Sequence, residues 1–307
     1  NVGKGMHPRS EKGLIFVGML TFYSPEEKGV PEAITTCKDA GIRVIITTGD
    51  SPYMAIKMAR RIGIFGPEPC DYEVDAENKL LKPHEPKKNP RECKYACIDC
   101  TDDSIQPAVV MQTEDWWDEK LTQYKQLVVA NCPSLVKERL AKELQRLGHV
   151  VACVGNRGSD VPVLKAANVG VAFHEGAKVA QDAADIILDM SYKHLLGDAD
   201  EDISTFTGIT TAILHGRLVF DNLKKAVAYV MISNVAQVVA FMSFVIFQVP
   251  LPIAAALVVL CDLGTNTIPA LSMAFEKPET DIMHRPPRNV HLDKLVNGKT
   301  VFFSYLQ

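Results

Sequence analysis

Arg43-Val44-Ile45-Ile46-Thr47-Thr48-Gly49-Asp50-Ser51-Pro52 passes, after Arg43, from an uncharged β-branched run to hydroxyls, a glycine, an acid and a proline. The first half reads as a buried strand. The second half reads as the start of a helix, because proline fits the first turn, where its missing N–H is not needed. A strand that runs straight into a helix is the repeating unit of a parallel sheet, and ligands collect at the carboxyl ends of such strands. Outward from this junction the alternation continues. Strands are expected at 14–20, 44–47, 127–130, 150–154, 169–172 and 186–188, and helices at 28–39, 53–62, 135–146 and 161–167. The fold class expected is therefore α/β, with crossover helices on a parallel sheet. Residues 66–124 break the rhythm with Pro, Lys, Asp and Glu and read as a surface insertion.

Beyond this region the pattern changes character. From 226 to 249 no charge occurs, and from 251 to 275 the single charge is Asp262. Each run is long enough to cross a bilayer. Lys224 and Lys225 precede the first, and Lys277, Arg285 and Arg288 follow the second, which sets both outer ends on the cytoplasmic side of a membrane hairpin. A pair of buried core helices in a soluble protein is the alternative reading. The expected organisation is a cytoplasmic α/β domain over 1–220, a transmembrane hairpin over 221–275 and a cytoplasmic segment over 276–307.

Composition narrows the class further. The chain has 307 residues, 47% of them apolar, with Lys+Arg 33 against Asp+Glu 37 and a net charge of -4. That apolar share fills a core and excludes disorder, collagen and coiled coil. There is no global basic field, so a nucleic-acid partner is not expected. The Cys count is 8, without the paired spacing of a small secreted domain, which fits a reducing compartment. Residues 1–5 carry neither a Met start nor an apolar leader, so the chain is expected to be a piece of something longer.

Chemistry is expected at two strand tips. Thr48-Gly49-Asp50 joins a hydroxyl, a glycine and a helix N-terminus, a combination that cradles phosphate; a plain capped turn is the alternative. At the second tip, Val151-Ala152-Cys153-Val154 runs into Gly155-Asn156-Arg157-Gly158-Ser159-Asp160. Its oxygen-bearing side chains suit magnesium and phosphate, while Asp160 also serves as a helix cap. Lys137 can meet a phosphate as a point charge or remain a solvated surface lysine. Cys93, Cys97 and Cys100, with Cys70 and His84 upstream, lack the two CxxC pairs of a zinc site and read as thiols rather than as a metal centre.

Taken together, the order Thr48-Gly49-Asp50, Lys137, Gly-Asn-Arg-Gly-Ser-Asp and the hairpin resembles the later part of a P-type cation-transporting ATPase. Asp221-Asn222-Leu223-Lys224-Lys225, Leu263-Gly264-Thr265, Asp281-Ile282-Met283 and Asp293-Lys294-Leu295-Val296-Asn297 are similar to the alpha subunits of sodium/potassium and proton/potassium pumps. The resemblance implies a haloacid-dehalogenase-like, Rossmannoid phosphorylation domain followed by the fifth and sixth membrane helices. It implies ATP-driven transport of sodium/potassium-type cations through an aspartyl-phosphate, with ATP and Mg2+ as cofactors, a beta-type partner subunit and a multi-pass place in the plasma membrane. Thr48, Gly49, Asp50 and Lys137 would hold the phosphoryl group, and Asp160 with Asn156 the magnesium. Ser233, Asn234, Gln237, Asp262 and Asn266 would line the ion path. The family's phosphorylated D-K-T-G motif is not in this sequence, and the stretch alone is not expected to complete the cycle.

The departures from the family pattern concentrate at these sites. Where the family has T-G-D-G-x-N-D, the residues here are Val154 to Asp160, with Asn156 in place of the first Asp and Ser159 in place of the Asn. Its hinge D-P-P is Ser24-Pro25-Glu26. In the fifth helix S-N-x-P-E becomes Ser233-Asn234-Val235-Ala236-Gln237, and D-L-G-T-D becomes Asp262-Leu263-Gly264-Thr265-Asn266. An amide keeps an oxygen but loses a full charge, so weaker magnesium and cation binding is expected. A catalytically impaired pump-like protein, acting as a membrane-anchored binding or regulatory subunit, is therefore the alternative function. Replacing proline by Ala236 should also leave the fifth helix more regular.

Overall fold

The computed structural model describes residues 18, 29–66, 94–101, 108–189, 205–248, 250, 254–289, 293–296, 298 and 302. The expected strand at 14–20, apart from residue 18, lies outside these residues, as do Ser24 to Glu26, Cys70, His84 and Cys93.

In chain order the elements are α1 (Val30–Asp39), β1 (Ile46–Thr47), α2 (Pro52–Arg61), β2 (Tyr95–Asp99), α3 (Glu114–Gln123), β3 (Gln126–Ala130) and α4 (Ser134–Arg146). They continue with β4 (Ala152–Val154), α5 (Val161–Ala166), β5 (Val169–Phe173), α6 (Lys178–Ala183), β6 (Ile186–Leu188) and α7 (Thr205–Phe247). The last are α8 (Ala255–Leu260), a π-helical turn (Cys261–Asn266) and α9 (Thr267–Met273).

All pairings among the described strands are parallel, in two three-stranded sheets of order β1-β3-β2 and β4-β5-β6. The α/β expectation is thus met, with the strands divided between two sheets. β3 sits between two neighbours, and all of Gln126–Ala130 is buried, as a central strand of a parallel sheet requires. Ala55, Ile56 and Ala59 of α2 cover one face with Ile34, Phe65 and Tyr95. Trp117, Leu121, Val136 and Leu140, from α3 and α4, cover the other.

The insertion expected over 66–124 is corrected here in part. Tyr95, Ala96, Cys97 and Ile98 form a buried strand against β3, and Trp117 is 0% exposed. Tyr95-Ala96-Cys97-Ile98 has one β-branched residue and lies in a charged neighbourhood, so its strand character comes from pairing with β3 and not from local preference.

α7 has 43 residues, about 65 Å at 1.5 Å per residue, and passes unbroken through residue 220 and Ala236. Its start is well upstream of the uncharged run, and Phe206 packs against the core cluster around α2. Helices Phe206–Phe247 and Ala256–Met273 are long and apolar enough to cross a membrane. Their apolar side chains face outward, Val245 and Phe247 being 68% and 72% exposed. That is costly in water and favourable in lipid.

Arg217 on α7 ties three parts of the chain together. Its guanidinium donates to the carbonyls of Ile282 (2.8 Å), Arg285 (2.8 Å) and Ala40 (2.9 Å). Beside it, Gly41 has φ +72°, and a Cβ there would lie 2.8 Å from Pro287 Cδ. Arg285 also meets Asp221 at 3.2 Å, and Arg288 stacks over Phe220. The segment after the hairpin is thereby packed against both α1 and α7.

Candidate functional site

Hydrogen bonds lace the tips of β1 and β3 together. Thr48 N–H donates to Val129 O (2.9 Å), Cys132 N–H donates to Thr48 O (2.8 Å) and Asn131 N–H donates to Asp50 O (2.9 Å). Thr48 Oγ1 donates to Asp50 Oδ2 at 2.9 Å, and Asp50 N–H returns a bond to Thr48 Oγ1 at 3.1 Å. Gly49 and Asp50 are exposed, and a Cβ on Gly49 would meet nothing within 4 Å, so the turn is open to an incoming group. Ser51 occupies the N-cap of α2 without a side-chain cap bond.

Lys137, in the first turn of α4, reaches the second strand tip. Its Nζ lies 2.8 Å from Asp160 Oδ1, with side chains only 20% and 12% exposed. Asp160 Oδ2 accepts from Arg157 N–H at 3.2 Å. Gly155 is required for this approach, because a Cβ there would stand 2.7 Å from Asp160 Cβ. Asn156 plays a different part from its neighbour. Its Oδ1 accepts Phe173 N–H at 3.0 Å, and its carbonyl accepts Ala177 N–H at 2.8 Å, which binds the loop to β5 and α6.

A hard divalent cation asks for about six oxygen ligands with net negative charge. Here the Asp160 carboxylate is balanced by Lys137 and the Asn156 oxygen is taken by Phe173. Among the described residues no group of three or more His, Cys, Asp or Glu is placed to hold a metal ion. The residues of this stretch do not by themselves fit magnesium.

Sequence reasoning missed the surroundings of this tip. Asn131 has φ +47° and donates to Asp99 Oδ1 (2.8 Å) and Thr101 Oγ1 (3.1 Å), which clamps the end of β3 to the end of β2. Cys132 follows, its thiol donating to Pro133 O at 3.7 Å, and the neighbouring Cys100 and then the charge of Lys137 draw its pKa down against burial. The signal present was Ala130-Asn131-Cys132-Pro133, a strand end turned by a residue that tolerates left-handed backbone.

In the hairpin, four of the five expected path residues form one chain of hydrogen bonds. Ser233 Oγ donates to Asn266 Oδ1 (3.1 Å), Asn266 Nδ2 to Asp262 Oδ1 (3.2 Å) and Gln237 Nε2 to the same oxygen (2.8 Å). Asn234 lies on an exposed side of α7, outside this chain. Asp262 sits in the π-turn, a local unwinding that often marks functional positions in helices. Thr267 Oγ1 donates to Asp262 O at 2.7 Å, restoring a partner to a backbone group there.

Comparison with known proteins follows the same outline. Residues 250–307 match the family described as Cation transporting ATPase, C-terminus. The chain is 37% identical over 295 residues to sodium/potassium-transporting ATPase subunit alpha-2 of Homo sapiens, covering 96% of this chain and 27% of that protein. The same subunit of Gallus gallus shows the same identity and coverage. The sodium/potassium-transporting ATPase subunit alpha of Drosophila melanogaster is 36% identical over 301 residues, covering 96% of this chain and 26% of its own. The chain thus spans about a quarter of the length of the curated relatives it matches.

Proposed function

We propose that this chain, similar over 96% of its length to sodium/potassium-transporting alpha subunits, is a stretch of a P-type cation-transporting ATPase and supplies the phosphate-facing strand tips and a membrane hairpin of an ATP-driven pump for monovalent cations. The domain over 1–220 is cytoplasmic and haloacid-dehalogenase-like in this reading, and the whole protein sits multi-pass in the plasma membrane beside a beta-type subunit. Thr48, Gly49 and Asp50 receive the phosphoryl group of an aspartyl-phosphate, and Lys137 balances its charge. Ser233, Gln237, Asp262 and Asn266 line the ion path, with Asn234 beside them. The observation that carries the reading is the continuous hydrogen-bonded chain from Ser233 to Gln237 around Asp262, a polar seam between two lipid-length helices. Polar groups at membrane depth are expensive and are kept where they work.

A second reading is favoured by two specific contacts. Asn156 Oδ1 is spent on Phe173 N–H, and the lone acid of the hairpin is held by the amide of Gln237. Both leave less negative potential for a metal ion than a carboxylate would. A pump-like protein that binds or regulates without completing the cycle fits these contacts.

One experiment separates the two. The protein is expressed in its natural length, incubated with radiolabelled ATP, magnesium and sodium or potassium, quenched in acid and assayed for phosphoenzyme. Acid-stable labelling that disappears with hydroxylamine supports the pump. Its absence in wild type and in Asn156→Asp and Gln237→Glu proteins that fold and reach the membrane overturns the pump reading.

A further inference from the structure

Arg157 stands in the loop between β4 and α5, and its exposed guanidinium makes no hydrogen bond or ion pair with the described residues. Against the pattern T-G-D-G-x-N-D, this loop loses one negative charge at Asn156 and gains one positive charge at Arg157. The two changes together amount to the charge of a divalent cation. A phosphate dianion that approaches the loop therefore meets a field close to that of an acid with a metal ion bound to it.

Packing gives the neighbouring groups separate parts. Asn156 Oδ1 accepts Phe173 N–H at 3.0 Å, and a Cβ on Gly176 would stand 2.9 Å from that oxygen, so the amide is wedged against the turn after β5. The Asp160 carboxylate is engaged on both sides: Oδ1 meets Lys137 Nζ at 2.8 Å, and Oδ2 accepts Arg157 N–H at 3.2 Å. One carboxylate thus spans from the ammonium on α4 to the root of Arg157. With Asp160 matched by Lys137, the charge of Arg157 is left over. The first turn of α4 follows Cys132, whose N–H donates to Thr48 O at 2.8 Å, so the Arg157 loop and the Thr48-Gly49-Asp50 turn are joined through α4. The acid on that turn, Asp50, is tied to Thr48 Oγ1 at 2.9 Å.

We propose that Arg157 takes the place of a metal ion at this tip, so that Thr48, Gly49, Lys137 and Arg157 bind a phosphate dianion without magnesium. The inference rests on the reading of Thr48-Gly49-Asp50 as phosphate-facing and departs from it in the source of the counter-charge. Arginine suits that part, because its planar fork donates two parallel bonds to a phosphate and keeps its charge across the working pH range. Magnesium needs free oxygen ligands, and those of Asn156 and Asp160 are already engaged. The positive charge is therefore built into the chain, and phosphate affinity no longer follows the magnesium concentration.

The test uses the natural-length protein in detergent, with radiolabelled inorganic phosphate as the probe. Binding is read at equilibrium in EDTA and in magnesium chloride at equal ionic strength, and an acid-quenched parallel sample counts covalent label separately. Wild type is expected to bind phosphate in EDTA within about twofold of its affinity in magnesium, because the metal finds few ligands here. Arg157→Gln should weaken binding in EDTA by ~10-fold or more, the loss of a charge-assisted pair, and Arg157→Lys should keep part of it. In the double variant Asn156→Asp/Arg157→Gly, the new carboxylate keeps one oxygen for Phe173 and frees the other. Its binding should fall in EDTA and recover with magnesium. Wild-type binding that requires magnesium, wild-type binding in neither condition, or Arg157→Gln protein that binds like wild type overturns the proposal. Phosphoenzyme formed from ATP together with magnesium-dependent phosphate binding defeats this inference and leaves the pump reading standing. Phosphate held in EDTA by a protein that forms no phosphoenzyme does the reverse.

Discussion

Gln237 on α7 donates to Asp262 Oδ1 at 2.8 Å, so the single acid of the hairpin is bound to an amide on the facing helix. The same oxygen accepts from Asn266 at 3.2 Å. Two amide donors satisfy one carboxylate oxygen.

Changing Gln237 to Glu replaces the donor with a second carboxylate at hydrogen-bond distance from Asp262. Both cannot remain charged in a low dielectric unless a cation sits between them. The thermal midpoint of Gln237→Glu in detergent should rise with sodium or potassium, relative to choline at equal ionic strength, by about 2–4 °C for each ~1 kcal/mol of binding. Wild type should show little response; an equal response in both proteins refutes the idea that charge is what this seam lacks.

Arg217 offers a second measurement. Its guanidinium bonds three carbonyls on two distant segments, Ala40 on one and Ile282 and Arg285 on the other, and bonds from a charged donor contribute about 1.5–3 kcal/mol each without strict additivity. Arg217→Met should cost about 3 kcal/mol or more in denaturant unfolding. Amide exchange should speed up near Ala40 and Ile282 together. Faster exchange at one of them alone would mean that the two segments are held independently.

Gly41 and Gly63 both have positive φ, +72° and +79°, yet only Gly41 faces a neighbour, Pro287, in contact with the missing Cβ. Alanine at Gly63 should carry the backbone strain alone, about 1 kcal/mol. Alanine at Gly41 should add the displacement of Pro286 and Pro287 and cost about 1–2 kcal/mol more. Equal losses in chemical denaturation would show that the contact with Pro287 is soft.

Burial, joined by the charge of Asp160 and opposed by Lys137, pushes the Cys153 thiol up to about 11. In the unfolded chain the same thiol ionises near 9.0. Between these values the folded state holds a proton that the unfolded state has released, so stability is intact below pH 9 and falls as pH rises toward 11. Cys153→Ala should flatten that alkaline slope in urea titrations. Iodoacetamide should react with native Cys153 only as pH approaches its raised value.

Several elements were legible from local pattern. The strand expected at 44–47 is observed as Ile46–Thr47, the helix at 53–62 as Pro52–Arg61 and the helix at 135–146 as Ser134–Arg146. β-branched runs, a proline at the first turn and a helical apolar stripe are short-range signals, and each acts within a few residues. β2 and α3 were not legible, because Tyr95-Ala96-Cys97-Ile98 becomes a strand through the register it keeps with Gln126–Ala130. The upstream turns of α7 were also hidden, since they are not uniformly apolar, and Phe206 is held by the core around α2 and β2.

The sequence by itself determined the α/β character, the two lipid-length helices and the residue types at both strand tips and in the seam. These depend on periodicity, hydropathy and identity, which are written along the chain. Tertiary structure alone decided that Asn156 spends its oxygen on Phe173, that Lys137 neutralises Asp160 and that Asn131 clamps the end of β3 to Asp99. Hydrogen bonds and ion pairs are set by distances of a few ångströms between groups far apart in sequence, and only the folded backbone brings those groups within reach.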